Sequence, residues 1–233
     1  MIKLVSFNIQ NKRSLEDSLT KARLIKKLLV EEDIDILGLQ EVNYDTYELI
    51  KALLSDTNYK MVGDFRADDC KFLRKFNEAN PIITRLKIEE EATFQLPHFP
   101  AILPRIYTRA VVKIGRCKVA VYNTHLDYMF DKVRVRELAI LAKVVKEEAS
   151  RNFPIVMGDF NVKINKETLM KFTRTLKVDG VYRVELNTNT FKKSSGKRAI
   201  DHMFIHQKFM VNSCRTIRSI KESDHYPIEV IIK

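Results

Sequence analysis

Six predicted strands carry a conspicuous polar group near one end. These groups are Asn8, Glu41, His125, Asp159 with Asn161, Asp201, and Asp224 with His225. Any one of them is explained by a turn or a helix cap. Ligands of α/β sheets gather at strand ends, so six such positions together favour one shared site. The chain is therefore expected to fold into sheets whose ends meet at a polar centre.

The pair Asp224-His225 lies just before an alternating apolar run, Ile228 to Ile232. In an extended segment the two side chains point to opposite faces, so they are suited to two different tasks. An acid and an imidazole are costly to bury unless other groups satisfy them. We therefore expect the rest of the chain to supply their partners.

The hydrophobic pattern predicts both helices and strands. Helical spacing covers 14–32, 44–54, 130–151 and 166–176. Strands are predicted at 2–8, 35–40, 59–65, 81–84, 86–96, 106–114, 117–124, 154–157, 198–205, 211–217 and 226–232. Each half of the chain holds strands and about two helices, with no long linker between the halves. We therefore expect one domain over residues 1–233, an α/β fold built as a four-layer sandwich: two mixed β-sheets packed face to face with helices on the outside.

The chain is strongly basic, with 41 Lys and Arg against 30 Asp and Glu and a net charge of +11. Such a charge favours an anionic partner, which is nucleic acid, a phosphorylated metabolite or an anionic membrane surface. Solubility through excess lysine explains the charge equally well.

The cysteines Cys70, Cys117 and Cys214 are far apart and odd in number, which favours free thiols in a reducing compartment. The first predicted strand begins at Ile2, which leaves no room for a signal peptide. No apolar run approaches the length of a membrane span. These features predict a cytoplasmic protein without membrane insertion.

Six short motifs resemble those of the endonuclease/exonuclease/phosphatase superfamily, which includes pancreatic-type deoxyribonuclease. In chain order they are Ser6-Phe7-Asn8, Leu39-Gln40-Glu41-Val42, Asn123-Thr124-His125-Leu126-Asp127, Gly158-Asp159-Phe160-Asn161, Ile200-Asp201-His202-Met203-Phe204 and Ser223-Asp224-His225-Tyr226-Pro227. One tetrapeptide alone is weak evidence, whereas six in order across essentially the whole chain are specific. The resemblance implies the sandwich fold and metal-dependent cleavage of phosphoesters.

The residue types suit that chemistry on their own terms. Mg²⁺, for which Mn²⁺ substitutes, takes hard oxygen ligands. Glu41 is the best candidate for the direct carboxylate, with Asn8 and Asp224 nearby. Asp159 is suited to orient and deprotonate the attacking water, and Asn161 to hold that water or a phosphate oxygen.

His125 and His225 are suited to donate hydrogen bonds to a phosphate oxygen. A carboxylate on the other ring nitrogen favours the imidazolium form. The resemblance implies that Asp201 is this partner for His225 and that Glu78 is the partner for His125. An exposed loop glutamate remains an alternative for Glu78.

The resemblance also implies an arginine beside the scissile phosphate. Arg105 matches that position, and Arg109 is a rival because the local register is uncertain. His202 stands where many members have tyrosine, and we interpret it as structural. Abasic-site endonucleases of the superfamily carry a lysine near the metal glutamate and a tyrosine at the position of His125. This chain has neither, which argues against abasic-site repair.

The segment 191–198 is basic and directly precedes Asp201. Its Lys192, Lys193, Lys197 and Arg198 are candidates to bind phosphates beyond the scissile one. A solvated hairpin turn is the alternative. The chain has no tryptophan and 9% aromatic residues, so no stacking platform for single strands is evident.

These observations favour a nuclease that acts on DNA or RNA with little sequence specificity. The alternative is a phosphatase or phosphodiesterase acting on an inositol phosphate, phospholipid or nucleotide, because fold alone does not select the substrate. A nucleic-acid-binding protein without catalysis is a third hypothesis, and the intact polar set argues against it. No obligate protein partner is evident from the sequence.

Overall fold

A computed structural model describes residues 1–10, 12, 14–66, 77–100, 104–163, 165–186, 188–192 and 199–233. Its elements in chain order are β1 (Ile2–Asn8), α1 (Leu15–Glu31), β2 (Ile36–Gln40), α2 (Tyr44–Leu54), β3 (Lys60–Val62), β4 (Ile82–Thr84), β5 (Ile88–Gln95), β6 (Ile106–Ile114), β7 (Cys117–His125), α3 (Asp131–Ala149), β8 (Phe153–Asp159), α4 (Glu167–Val178), β9 (Val181–Arg183), β10 (Asp201–His206), β11 (Val211–Thr216) and β12 (Ile228–Ile232).

The strands form two six-stranded sheets. One has the order β11-β12-β1-β2-β4-β3 and the other the order β5-β6-β7-β8-β10-β9. In the first sheet β1 and β2 are parallel, and in the second β7 and β8 are parallel. The remaining pairs are antiparallel. Both sheets are therefore mixed, as predicted.

Three hydrophobic cores separate four layers. The central core joins the two sheets and includes Leu4 and Val230 from one and Val121 and Ile155 from the other. A second core packs α1 and α2 on the outer face of the first sheet. A third packs α3 and α4 on the outer face of the second. The predicted four-layer sandwich is confirmed.

The helix starts follow from their capping residues. The Ser14 hydroxyl accepts the backbone N–H of Asp17 at 3.2 Å, and the Asn43 side chain accepts that of Thr46 at 2.8 Å. Each satisfies an amide that the first helical turn leaves without a partner. Helices α1 and α2 therefore begin where the sequence predicts.

Two parallel strand pairs bring the polar strand ends together. Asn8 of β1 is level with Gln40 of β2, and Glu41 follows directly. His125 of β7 is level with Asp159 of β8. Asp201 of β10 is level with the same Asp159. One end of each sheet therefore carries half of the polar set.

A buried amide joins the two sheets beneath these ends. The Asn123 Nδ2 donates to the carbonyls of Leu39 at 2.7 Å and Pro81 at 2.9 Å. Its Oδ1 accepts from Nε2 of Gln40 at 2.6 Å. Buried polar groups need such partners, and these fix one sheet against the other.

Some sequence boundaries were wrong. The predicted strand 59–65 is three residues long in the structure, and β9 was not predicted at all. β9 (Val181–Arg183) holds one buried apolar residue followed by an exposed tyrosine and an arginine, so no apolar pattern indicates a strand there. Within the described ranges, no helix is both long and apolar enough to cross a bilayer.

Candidate active site

Asp159 lies at the centre of the polar set, at the end of β8. Its Oδ2 is 3.7 Å from Nε2 of both His125 and His225. The Asn8 amide donates to the same oxygen at 3.0 Å. Burial and the nearby charge of Asp201 raise the pKa of Asp159 to about 7. The carboxylate is thus suited to accept a proton near neutral pH.

His225 is oriented by a carboxylate. Its Nδ1 is 2.9 Å from Oδ2 of Asp201 and 3.1 Å from Oδ1. Burial by itself lowers the pKa of His225, but the carboxylates of Asp201 and Asp159 outweigh burial and raise the pKa to about 10. The ring is therefore an imidazolium at neutral pH, and its Nε2–H points toward Asp159. The pairing of Asp201 with His225 agrees with the sequence expectation.

His125 differs from His225 because an arginine contacts it. The Arg105 Nη1 lies 3.3 Å from Nδ1 of His125. A guanidinium has no acceptor, so Nδ1 must accept and Nε2 must carry the proton. Burial and then the charge of Arg105 hold the pKa of His125 well below its ordinary value. His125 is therefore a neutral donor through Nε2.

The expected pairing of Glu78 with His125 is not found. Glu78 forms an ion pair with Arg66 at 3.3 Å, and Arg105 occupies the Nδ1 side of His125. The sequence placed Glu78 on a loop without fixing its direction. Its loop instead joins the end of the first sheet, where the backbone of Ala79 bonds with Val42.

Arg105 lies in the candidate site, whereas Arg109 lies away from it. Arg109 donates to Glu148 at 2.6 and 3.0 Å and to Glu90 at 2.9 Å. The network with Glu148 holds Arg109 of β6 against α3. Arg105 directly precedes β6 and lies next to His125. Arg109 thus links α3 to the second sheet.

Glu41 and Asn8 form the side of the site contributed by the first sheet. Glu41 has a left-handed backbone (φ 59°), which turns the chain sharply after β2. Its Oε1 accepts from Nδ2 of Asn8 at 3.0 Å and lies 4.0 Å from Nε2 of His125. The Oδ1 of Asn8 accepts the backbone N–H of Gln10. Asn8 therefore faces the carboxylates with its nitrogen, and a metal-ligand role requires the amide to present its oxygen instead.

The donor set fits a hard divalent cation. Glu41 and Asp159 offer carboxylate oxygens on either side of Asn8, and the Glu41 side chain is 26% exposed, which leaves room for water ligands. One ligand atom from each of Asp159, Asp201 and His225 also lies within 4.8 Å of the others. Asp201 is paired with His225, and Asp159 lies between the two imidazole rings, so Glu41 is the carboxylate most open to a cation.

Asp224 is half-buried beside His225, and its backbone carbonyl accepts the N–H of Lys192 at 2.7 Å. It is not part of the three-residue group of candidate ligands found among the described residues. Its assignment as a metal ligand stays a prediction.

Asn161 follows Asp159 in a tight turn. Asn161 is left-handed (φ 50°), its N–H donates to Oδ1 of Asp159 at 2.9 Å, and its side chain donates to the Leu126 carbonyl at 3.0 Å. Gly158 permits the close approach of β7, since a Cβ there would lie 1.9 Å from the Thr124 carbonyl oxygen. Backbone geometry thus accounts for Gly158 and Asn161 of the Gly-Asp-Phe-Asn motif.

Of the basic residues predicted in segment 191–198, only Lys192 lies in the described part of the chain. Lys192 donates through Nζ to the carbonyls of Ile220 and Ser223, both at 2.7 Å, and lies over the Tyr226 ring. It ties the segment around Ser223 to residue 192, and its contact with a phosphate beyond the scissile one stays a prediction. Lys193, Lys197 and Arg198 lie outside the described residues.

Several supporting residues were not identified from the sequence. The Thr190 hydroxyl accepts the N–H of Asp201, and the Phe191 ring packs 4.9 Å from the His225 ring. The Ser223 hydroxyl donates to the Asn8 carbonyl and accepts the His225 N–H. Ser223 belongs to the Ser223-Asp224-His225-Tyr226-Pro227 motif, so the sequence indicated its position but not its role.

His202 is buried, as expected for a structural residue. Its Nε2 lies 2.8 Å from the Val162 carbonyl, and burial lowers the pKa of His202 to about 4. A neutral ring therefore donates through Nε2 and holds the turn that follows Asp159.

A family model described as the Endonuclease/Exonuclease/phosphatase family matches residues 5–225. No curated protein matches the chain. Among solved structures, a mannosyl-6-phosphatase of Bacteroides thetaiotaomicron is 22% identical with a TM-score of 0.82, and the match covers 100% of both chains.

Two further solved structures share the fold. The catalytic domain of human Nocturnin, with bound sulfate, is 17% identical with a TM-score of 0.78, covering 100% of this chain and 94% of that one. D. rerio TDP2, complexed with single-strand DNA product, is 17% identical with a TM-score of 0.79, covering 100% and 98%.

Proposed function

The chain belongs to the endonuclease/exonuclease/phosphatase family, a family of phosphoester hydrolases, and from this premise we propose that it is a metal-dependent phosphodiesterase. Its proposed substrate is DNA or RNA, cleaved with little sequence specificity. The observation that carries the proposal is the position of Asp159 between two imidazole Nε2 atoms. We further propose that residues 1–233 act as one catalytic domain.

In this proposal Asp159 is the general base. It takes a proton from the attacking water as the water oxygen bonds to phosphorus and the bond to the leaving oxygen breaks. The raised pKa of Asp159, about 7, matches a base that works near neutral pH. Asn161 holds the Asp159 carboxylate in place through its backbone N–H and is also proposed to contact the water or a phosphate oxygen.

The two histidines stabilise the negative charge on the phosphate oxygens. His225 donates as an imidazolium oriented by Asp201, whereas His125 donates as a neutral ring oriented by Arg105. Donors fixed in advance lower the barrier because they need not reorganise during the reaction. Arg105 adds positive charge on the same side.

Mg²⁺ or Mn²⁺ would be held by Glu41, with Asn8 and Asp224 nearby, and would supply charge neutralisation at the phosphate when bound. The Glu41 carboxylate, which is 26% exposed and accepts from the Asn8 amide, supports this assignment. Glu78 is proposed to act at a distance, by fixing Arg66 near His125.

A nucleic acid is favoured by the net charge of +11. The resemblance in fold to TDP2, which was solved with a single-strand DNA product, is compatible with such a substrate. The unpaired Cys117 and Cys214 suit the reducing cytoplasm that we propose as its location.

A phosphatase acting on a small phosphoester is the second candidate. It is supported by the full-length likeness to a mannosyl-6-phosphatase. The same groups activate water toward a monoester, and only the surroundings of the phosphate differ.

A substrate panel separates the two. Labelled DNA and RNA oligonucleotides, sugar phosphates, inositol phosphates and nucleotides are incubated with the chain in Mg²⁺ and in Mn²⁺, with His225→Ala as the inactive control. We expect a higher kcat/KM on the oligonucleotides than on any of the small phosphoesters. Phosphate release from a small monoester, with oligonucleotides left intact, would contradict it.

A further inference from the structure

The turn after β7 is built rigidly beside the candidate site. The Asp127 Oδ1 accepts the backbone N–H of Met129 at 2.9 Å and that of Phe130 at 2.6 Å. Both amides would otherwise lack partners at the start of α3. Asp127 itself is buried, so the turn is fixed from within.

Two residues of α3 hold the backbone of Asp127. Its N–H donates to Oε2 of the fully buried Glu137 at 2.9 Å, and its carbonyl accepts from the guanidinium of Arg134. Both backbone groups of Asp127 are thus anchored to the helix that follows. The three residues after Asp127 have little freedom to move as a segment.

This fixed turn presents large apolar side chains to solvent. Tyr128 is 66% exposed, Met129 63% and Phe130 38%. The hydrogen bonds of the turn involve only backbone amides at Met129 and Phe130, so they do not require apolar side chains there. A contiguous exposed apolar run beside a polar centre indicates a contact surface.

Arg105 connects this surface to the candidate catalytic histidine. Its guanidinium carbon lies over the Tyr128 ring, 5.8 Å from the ring centroid. The same guanidinium lies 3.3 Å from Nδ1 of His125. The Tyr128 ring is therefore one side chain away from the group that is proposed to contact the scissile phosphate.

We propose that Tyr128 is a stacking residue for an unpaired nucleobase next to the scissile phosphate, with Met129 and Phe130 completing the apolar surface. This inference rests on the proposed function and narrows it to strands whose bases are free to leave the helical stack. Every base has a π-face, so stacking adds affinity without sequence readout.

The features of the turn favour a base over a lipid surface as its occupant. A ring held by a fixed turn and a neighbouring guanidinium has a defined orientation, which stacking needs and membrane insertion does not. The Tyr128 ring also contacts Arg105, which in turn contacts His125. Only one side chain therefore separates the ring from the groups that are proposed to bind the phosphate. The net charge of +11 then attracts the polyanion that carries the base.

The test compares binding of two labelled strands by fluorescence anisotropy in chelator, where no turnover occurs. One is a mixed-sequence single-stranded DNA, and the other has the same backbone with abasic spacers near its centre. Tyr128→Ala is expected to reduce the preference for the base-bearing strand about 10-fold, and Tyr128→Phe is expected to retain most of it.

A matched control is Tyr182 on β9, which also has a cation over its ring, with Lys177 Nζ at 5.9 Å. Tyr182→Ala should leave the preference unchanged. Equal weakening of both strands by Tyr128→Ala would overturn the proposal and assign the residue to positioning Arg105. Loss of binding to phosphatidylserine vesicles, with the strand preference intact, would assign the turn to a membrane surface instead.

Cleavage of the same strands is also measured in Mg²⁺. It separates a failure of the proposed nuclease activity from a failure of the proposed stacking by Tyr128. Cleavage by the unmodified chain without any base preference supports the nuclease and contradicts the stacking residue. Base-dependent binding without cleavage supports the stacking residue and contradicts the nuclease.

Discussion

Arg105 lies 3.3 Å from Nδ1 of His125, on the side where a carboxylate was expected. A cation at this position lowers the pKa of the ring together with burial, whereas a carboxylate would raise it. The two histidines of the site consequently differ in charge. His225 is an imidazolium and His125 is neutral, although both direct Nε2 toward Asp159.

Replacement of Arg105 by alanine is expected to lower kcat/KM about 100-fold, because the phosphate loses one cation and the His125 ring loses the group that orients it. The pKa of His125 should rise toward its ordinary value, since a positive neighbour is removed. Steady-state kinetics and NMR titration of the histidine resonances measure the two effects.

Arg109→Ala is the matched comparison. It leaves the Glu148 carboxylate, whose side chain is 3% exposed, without its cation and should cost about 3 kcal/mol of stability. Its kcat should stay close to the unmodified value at a temperature where the variant is folded. A larger loss of kcat for Arg109→Ala than for Arg105→Ala would contradict the assignment.

The carboxylate of Asp201 is expected to set the pH range of activity. It helps raise the pKa of His225 to about 10, so the imidazolium persists through neutral pH. In Asp201→Asn that charge is absent and the pKa of His225 falls. The decline of activity at high pH should then begin at a lower pH than in the unmodified chain.

A double-mutant cycle checks this coupling. Asp201→Asn should reduce kcat about 100-fold by itself and should add little in a His225→Ala background. Additive losses in the two backgrounds would show that Asp201 acts independently of His225.

Gly158 should tolerate no side chain. A Cβ would meet the Thr124 carbonyl at 1.9 Å, and its φ of 145° is unfavourable for other residues. Gly158→Ala is expected to cost more than about 4 kcal/mol, because β7 and β8 must separate. Gly115 is also left-handed (φ 60°) but has open space around it, so Gly115→Ala should cost only about 1 kcal/mol. Urea denaturation of both variants tests the ranking, and equal losses would contradict it.

Glu137 should make stability depend on pH. Burial raises its pKa to about 7 from an ordinary value of 4.5, so the folded state binds a proton that the unfolded state releases between these values. This contribution is present in full below about pH 4.5 and is lost as the pH rises through about 7. Between pH 5 and pH 8 the unmodified chain should therefore lose about 3 kcal/mol more of its free energy of unfolding than Glu137→Gln does. Parallel pH dependences for the two proteins would refute this.

The sequence predicted the sandwich and most of the polar centre because both depend on local patterns. Apolar strands followed by a polar residue define Asn8, His125 and Asp159, and two parallel strand pairs then bring these ends together. The capping side chains Ser14 and Asn43 define helix starts directly.

The parts that were not predicted depend on side-chain direction and on loops. Glu78 points to Arg66 and Arg105 to His125, and spacing along the chain does not determine either choice. Lys192 belongs to a basic run, yet its Nζ donates hydrogen bonds to the carbonyls of Ile220 and Ser223, which come close only in the folded chain. The exposure of Tyr128 likewise follows from a turn fixed by a helix further along.

The most direct test of the proposed activity is cleavage of an end-labelled oligonucleotide by the purified chain in Mg²⁺, in Mn²⁺ and in chelator, alongside Asp159→Asn. This substitution keeps the shape of the side chain and removes its basicity. We predict metal-dependent product formation that stops in chelator and whose rate falls at least about 100-fold in Asp159→Asn. Cleavage that continues in chelator, or that is unchanged in Asp159→Asn, would contradict it.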